Sequence, residues 1–166
     1  LFLSAYDEYV LSLYLKLCFR YTFGILKTTE KYIGEFIIHT TMYTVACNLK
    51  KIGNSFPEFI EYLRQHSSKK SLFGEPTVYI LENVHSLSIS KQTIIHNIVE
   101  KNRNTIFVLT SYNTNRVYTA LLNTIVRLKI PSLDVYKTIQ KLCKESSIEH
   151  EKKHISYIIE HCKSKI

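Results

Sequence analysis

Short apolar runs alternate with helix-like patterns along the chain, and several of these runs end in polar residues. Val78–Leu81 has the pattern of a buried strand and ends in Glu82 and Asn83. Ile106–Leu109 repeats this pattern and ends in Thr110–Ser111. In an open parallel sheet, ligands bind outside the carboxyl ends of the strands. These polar residues therefore mark the edge at which a site is expected.

The other patterns predict the elements that surround these two strands. Residues 1–3 and 34–39 have strand patterns, and a further strand is expected near 125–130. Apolar positions spaced by three and four predict helices, which are expected over about 6–20, over 54–65, after a cap at Ser88 or Ser90, after Ser132, and over 148–162. Because strands and helices alternate, we expect an α/β fold with a parallel sheet of about five strands.

Composition narrows the classes of protein that fit this pattern. A chain of 166 residues with 45% apolar residues can form one domain with a sizeable core. No apolar run reaches the roughly 18 residues of a membrane span, so we expect no membrane partner. Four widely spaced cysteines without a CxxC motif favour a reduced, intracellular protein. The net charge of +8 favours a polyanion such as nucleic acid as partner, although a generally lysine-rich protein would share it.

The order and spacing of motifs from residue 77 to about 145 resemble the small subunits of sliding-clamp loaders, members of the AAA+ ATPase family and similar to replication factor C. The matching segments are VYILENVHSLS, a helix closing with VEK, FVLTSYNTNRV and IVRLKIPS. Upstream, EFIIHTTMYT and FPEFIEYLRQ are similar to the family's second strand and its helix, and LFLS to its first strand. The resemblance implies a P-loop-NTPase-like AAA+ domain over 1–131 and a helical lid segment over 132–166.

The phosphate-binding element departs from the family pattern. A phosphate-binding loop needs glycines for close backbone approach and a lysine for the terminal phosphates. Here Ser4–Glu8 follows the first strand, with no glycine before Gly24 and no lysine before Lys16. Asp7 and Glu8 would repel phosphate. The sequence therefore predicts a domain without an intact phosphate-binding loop and without a bound cofactor or metal.

The remaining catalytic positions depart from the pattern as well. The resemblance aligns Glu82 with the Mg²⁺-associated acid and Asn83 with the glutamate that activates water. Asparagine cannot take a proton from water, so hydrolysis should fail. Tyr112 falls at the sensor-1 position. Asn123, Thr124 and Ile125 fall at the arginine-finger motif, where they offer no cation; Arg116 and Arg127 are the candidates to replace it.

These departures predict a non-catalytic, clamp-loader-like subunit in DNA replication. The resemblance implies assembly with other clamp-loader subunits, a sliding clamp and primer–template DNA, in the nucleus or at a viral replication site. Lys91, Lys101 and Arg103 are the candidates for contacts with the DNA backbone, with Lys91 expected on an exposed helix face. Two alternatives stay open: an active AAA+ ATPase whose phosphate loop is diverged or lies upstream, and an unrelated basic α/β nucleic-acid-binding domain. The AAA+ interpretation requires residues 1–3 to lie centrally in the sheet, beside the strands Val78–Leu81 and Ile106–Leu109.

Overall fold

The chain consists of two compact units, Leu1–Ile130 and Pro131–Ile166. The structure, a computed structural model, describes residues 1–5, 11–12, 14–15, 18, 27–67, 77–102, 105–130, 135–145 and 151–163. The two units are described separately, and the first contains the sheet.

The first unit is built on a seven-stranded sheet in the order β2-β3-β4-β5-β6-β1-β7. Its strands are β1 (Phe2–Ser4), β2 (Thr29–Ile33), β3 (Phe36–Thr40), β4 (Thr44–Asn48), β5 (Val78–Glu82), β6 (Ile106–Ser111) and β7 (Arg127–Lys129). Strands β4, β5, β6, β1 and β7 pair in parallel, and β2 and β3 extend the sheet as antiparallel strands. The predicted parallel α/β sheet is confirmed, with two more strands than expected.

The first strand lies inside the sheet and beside Ile106–Leu109, as expected, but the expectation that it also lies beside Val78–Leu81 is wrong. Leu3 pairs with Thr110 of β6 on one side and with Leu128 of β7 on the other, both in parallel. Strand β6 then separates β1 from β5. Residues 1–3 therefore lie in the interior of the parallel part of the sheet, one strand from its β7 edge.

The strand expected over 34–39 is present as β3, but it is antiparallel to both of its neighbours, and Thr44–Asn48, which was not predicted, is the parallel neighbour of β5. Gly34, with φ +59, lies in the two-residue turn that joins β2 to β3 in a hairpin. Glycine suits this turn because a left-handed backbone is strained for other residues. The chain then reverses at Thr41, whose N–H donates to the carbonyl of Thr44 at 2.9 Å. Two tight reversals thus replace one strand with three.

Three helices pack on one face of the parallel strands: α1 (Phe56–Ser67), α2 (Ile89–Lys101) and the short α3 (Thr119–Thr124). The helical residues Leu11 and Leu15 pack on the other face. Tyr79 and Leu81 of β5 belong to the apolar cluster that includes residues of α1, α2 and α3, whereas Val78 and Ile80 belong to a second cluster with Leu11 and Leu15. This alternation explains why the whole run is apolar, since a strand covered on both faces has no solvent side.

Most predicted helices of the first unit are present with shifted ends. Helix α1 begins two residues later than expected, because residues 53–55 form a 3₁₀ turn. Ser88 is the N-cap of α2, and its hydroxyl accepts from the N–H of Lys91 at 3.4 Å. Of the helix expected over 6–20, the described residues 11, 12, 14, 15 and 18 are helical. The rest of that helix, like most of the loop expected over 66–76, lies outside the described residues.

The second unit contains α4 (Val135–Glu145) and α5 (Lys152–Lys163), which contact each other. Glu151 precedes α5, and its N–H donates to Nδ1 of His154 at 3.3 Å, which satisfies one free N–H at the start of the helix. The expected cap Ser132 lies outside the described residues. None of the helices in the described part of the chain is both long and apolar enough to cross a bilayer.

Candidate functional site at the carboxyl edge of the sheet

The parallel strands end at one edge of the sheet. Asn48 at the end of β4 is paired with Glu82 at the end of β5. Ser4 at the end of β1 is paired with Ser111 of β6 and with Lys129 of β7. The polar residues after β5 and β6 therefore lie at the edge where an α/β sheet binds its ligands.

Asn83, at the position aligned with the catalytic glutamate, is held in a strained and buried arrangement. Its backbone is left-handed, with φ 60 and ψ 45, and the residue is only 1% exposed. Its amide Nδ2 donates to Oδ1 of Asn48 at 3.1 Å, and its N–H donates to Oγ1 of Thr110 at 3.2 Å. Asparagine tolerates the left-handed region better than most residues do, which accounts for its presence in this turn. The Asn83 side chain thus joins the ends of β4 and β5.

The same turn is closed from the other side by Ser86. Its N–H and its hydroxyl both donate to the carbonyl of Asn83, at 2.9 and 2.7 Å. Val84–Ser86 forms a 3₁₀ turn in which Val84 and His85 are buried. These contacts restrict the conformation of Asn83, because its backbone N–H, its side-chain Nδ2 and its backbone carbonyl each form a hydrogen bond.

A second set of contacts joins the loops after β5 and β6. Oγ of Ser111 lies 3.0 Å from Nδ1 of His85 and also accepts from the N–H of Asn113 at 3.0 Å. The ring of Tyr112 meets the His85 imidazole in a T-shaped contact with centroids 4.2 Å apart. Tyr112 is nevertheless 38% exposed. The residue aligned with sensor 1 is therefore a braced aromatic ring that faces solvent in part.

Gln92 of α2 forms hydrogen bonds with the loops after β5 and β6. Its role was not identified from the sequence. Its amide, 0% exposed, donates to the carbonyls of Leu87 and Arg116, both at 2.9 Å, and accepts from the N–H of Tyr118 at 2.7 Å. A buried polar side chain needs such partners. The available signal was its place three residues before Ile95, on the inward stripe of α2, where a polar residue is out of pattern.

An open cleft of about 380 Å³ lies between the loops after β5 and β6. We call it the loop cleft; its lining residues are His85, Ser86, Leu87, Ser88, Ile89 and Arg116. A second cleft of about 310 Å³, the hairpin cleft, is lined by Glu30, Glu35, Phe36, Ile37, His39, Asn48 and Lys51. The loop cleft has an arginine and no carboxylate among its lining residues, whereas the hairpin cleft has two carboxylates.

Burial dominates the ionisation of groups beneath this edge. Cys47, next to Asn48, is buried, and its burial, with a smaller contribution from the charge of Glu82, raises the pKa of the thiol well above its ordinary value. Burial also raises the pKa of Tyr79 to about 12. Both groups are therefore neutral at physiological pH.

The residues at the arginine-finger position end α3. Asn123 and Thr124 are exposed, and Ile125 packs partly against the core. Oγ1 of Thr124 donates to the carbonyl of Ala120 at 2.8 Å. Its single proton is then used, so Nε2 of His96, 2.9 Å away, must be the donor in their contact. This motif is thus tied to α2 through a neutral hydroxyl.

The candidates for DNA contact differ in their surroundings. Lys91 is half-buried, and its ammonium lies 4.9 Å from the centroid of the Phe56 ring, so the expectation of an exposed side chain is wrong. The aromatic ring attracts the cation and covers part of its stem. Lys101 is exposed at the end of α2. Arg103 lies outside the described residues.

The phosphate-loop position is described only at its start. Ser4 ends β1 and Ala5 is buried, whereas residues 6–8 lie outside the described residues. The predicted loss of this loop stays a prediction from the sequence. Among the residues with described positions, no group of three or more His, Cys, Asp or Glu side chains could hold a metal ion.

The sheet and its flanking helices define the class of fold, a mostly parallel seven-stranded α/β fold. A DNA polymerase III gamma subunit-related protein from Thermotoga maritima has a similar structure, with a TM-score of 0.57 over 89% of this chain. The two sequences are 10% identical, so the likeness concerns the fold alone, and the chain spans about half (48%) of that solved chain. No family model matches the sequence, and no curated protein does.

Proposed function

We propose that this chain is a non-hydrolysing, clamp-loader-like subunit that acts in DNA replication. The fold is similar to that of a DNA polymerase III gamma subunit-related protein. The observation that carries the proposal is the state of Asn83, because it occupies the position aligned with the catalytic glutamate. Its role is to hold the fold together, and the protein contributes shape and contacts to an assembly.

The chemistry of Asn83 supports this proposal in two ways. An amide is not a base, so it cannot accept a proton from an attacking water. In addition, the side chain is buried and donates to Asn48. A water-activating group must reach the water within hydrogen-bond distance, and Asn83 is directed to the neighbouring strand instead. The loss is therefore one of geometry as well as of chemistry.

The partners follow from the proposed role. The chain would assemble with other clamp-loader subunits and contact a sliding clamp and primer–template DNA, in the nucleus or at a viral replication site. Exposed Lys101 and half-buried Lys91 are the described candidates for DNA-backbone contacts. Such contacts set the position of a protein on DNA and do not read its sequence. Net charge +8 supports a polyanionic partner.

Nucleotide assays on the full chain test the proposal against an active ATPase. We expect no ATP hydrolysis above the background of a mock preparation, and no binding of ATP at micromolar concentrations. We also expect Asn83→Glu to remain inactive, since the phosphate-binding residues are missing as well. Micromolar binding of ATP, or hydrolysis by the unchanged chain, would contradict the proposal and favour an ATPase with a diverged or upstream loop.

Co-purification tests the assembly part of the proposal. The tagged chain, expressed in its native host, should recover clamp-loader subunits in fixed proportion. A matched control is Tyr32→Ala, a change on the exposed hairpin far along the sheet from the site, which should not alter folding. Recovery of nucleic acid without any clamp-loader subunit would favour the unrelated basic nucleic-acid-binding domain.

A further inference from the structure

We propose that the loop cleft binds one unpaired nucleotide of a single-stranded nucleic acid, with Tyr112 stacking on the base and Arg116 contacting a phosphate. The inference rests on the proposed function only for its expectation of a nucleic-acid partner. It adds a site that the DNA-backbone candidates on α2 do not provide, because those residues would follow a strand without holding a base.

The size and charge of the loop cleft fit such a ligand. Its volume of about 380 Å³ lies near the lower end of the roughly 300–1,000 Å³ of small-ligand sites. This volume suits one nucleotide and is too small for a folded partner. A cation and two hydroxyl side chains line the cleft, from Arg116, Ser86 and Ser88, and no carboxylate does. An anionic ligand would therefore meet attraction without a repelling charge on the wall.

Tyr112 lies beside the loop cleft, outside its lining, and offers a ring face that is both accessible and braced. The residue is 38% exposed, although its ring contacts His85, which lines the cleft. Since the two rings meet at an interplanar angle of 70°, His85 leaves at least one face of Tyr112 uncovered. The neighbouring Ser111 restrains the loop that carries this ring, because its hydroxyl contacts both His85 and the N–H of Asn113. A ring held in this way can stack on a base of any sequence.

Arg116 offers a cation on an anchored backbone. Its carbonyl accepts from Gln92 at 2.9 Å, and its N–H donates to the carbonyl of Asn113 at 3.3 Å. The residue is exposed, and its guanidinium forms no ion pair with any residue that the structure describes. Such a group can contact a phosphate beside the stacked base.

The stacking contact selects a single strand over a duplex. A base within a duplex is already stacked on its neighbours, so its faces are closed to a side chain. An unpaired base has a free face for Tyr112. The loop cleft should therefore prefer single strands, in contrast with the backbone contacts expected from Lys91 and Lys101, which a duplex satisfies equally well.

Binding of fluorescently labelled oligonucleotides to the full chain tests this site. The probes are a ten-residue oligothymidylate and a blunt duplex of the same phosphate count, measured by anisotropy over a series of salt concentrations. We expect tighter binding of the single strand and a loss on the order of tenfold in Tyr112→Ala. Tyr112→Phe should retain most of the affinity, because stacking needs only the ring. Arg116→Gln should lower the slope of log affinity against log salt by roughly 0.7.

Matched controls separate the site from a general charge effect. Tyr32→Ala removes another exposed tyrosine, and Arg64→Gln removes the same unit of charge from α1. Both should bind as the unchanged chain does, apart from a small loss for Arg64→Gln. Tighter binding of the duplex, or equal losses in Tyr112→Ala and Tyr32→Ala, would overturn the site and leave the proposed function standing. ATP hydrolysis by the chain would contradict the proposed function and leave a Tyr112-dependent site intact.

Discussion

Asn83 and Tyr112 follow neighbouring strands at the same edge of the sheet, yet their surroundings are opposite. Asn83 is 1% exposed and bonded to Asn48 and Thr110. Tyr112 is 38% exposed, and its ring contacts His85 at its side. Both replace residues that the AAA+ resemblance assigns to nucleotide chemistry.

Under the proposed function, the difference corresponds to two outcomes for a position that the resemblance assigns to catalysis. The residue after β5 has a structural role, because a left-handed backbone and a buried amide hold it between two strands. The residue after β6 keeps a surface that a ligand can reach. Gln92 makes the contrast possible, since it holds both loops in place from one helix.

The largest expected effect is the loss of this shared support in Gln92→Leu. Leucine fills a similar volume but leaves the N–H of Tyr118 and the carbonyls of Leu87 and Arg116 without their partner. Each buried group left unpaired costs about 1–3 kcal/mol, so we expect the free energy of unfolding to fall by about 3 kcal/mol. Urea denaturation followed by circular dichroism measures this change.

The control for Gln92→Leu is Asn97→Leu, on the exposed face of the same helix. It should change the free energy of unfolding by less than about 0.5 kcal/mol. Similar losses in the two variants would mean that the amide of Gln92 does not support the loops.

The second prediction concerns Asn83, the buried residue of the pair. Asn83→Ala loses the bond to Asn48 and places alanine in a left-handed conformation, so the free energy of unfolding should fall by about 2 kcal/mol. Asn83→Gly removes the same bond without the backbone strain and should lose about half as much. The order of the two variants, measured by urea denaturation, separates strain from hydrogen bonding.

A double-mutant cycle with Asn48→Ala isolates the bond itself. Asn48 also accepts from the N–H of Lys50 at 3.0 Å, so its single variant carries an additional loss. The cycle removes that shared background, and a coupling energy of about 1 kcal/mol is expected between the two asparagines. A coupling near zero would show that Asn83 does not bind Asn48 in solution.

Alkaline pH tests whether the strand ends under Asn83 are dry. Burial raises the pKa of Cys47, so above about pH 8.5 the unfolded chain loses this proton while the folded chain keeps it. The free energy of unfolding should therefore fall as pH rises, by up to about 1.4 kcal/mol per unit. Cys47→Ala should flatten this decline between pH 8.5 and 9.5, a window below the ionisation of the tyrosines. An unchanged slope in that variant would place water at this thiol.

The sequence predicts the strands with a purely apolar run and fails where the strand is short or half polar. Val78–Leu81 and Ile106–Leu109 were found because both faces of these strands are covered. Strand β2, TEKYI, was missed because four of its five residues are exposed. Strand β4 was missed because it begins directly after the turn at Thr41. The hydroxyl-rich segment Thr40–Thr44 has the pattern of a loop.

The candidate site was likewise predicted from the sequence only in part. Its location after β5 and β6 follows from strand order, since polar residues mark the carboxyl ends. The contacts of His85 with Ser111, and of Gln92 with both loops, join residues that are distant in the chain. Hydrophobic periodicity carries no information on which polar side chains meet. The left-handed turn at Asn83 was equally out of reach, because asparagine is common in ordinary turns and strand ends.

The smallest expected effect on stability is that of replacing Tyr112, the accessible residue of the pair. Tyr112→Ala should lower the free energy of unfolding by only about 0.5–1 kcal/mol, which is the range of a single aromatic contact such as that with His85. Tyr112→Phe should change it less, since the ring remains. If Tyr112→Ala instead cost as much as Asn83→Ala, the ring would belong to the scaffold, and the contrast between the two strand ends would not hold. A small loss of stability together with a large loss of oligonucleotide binding would identify Tyr112 as a residue retained for a ligand.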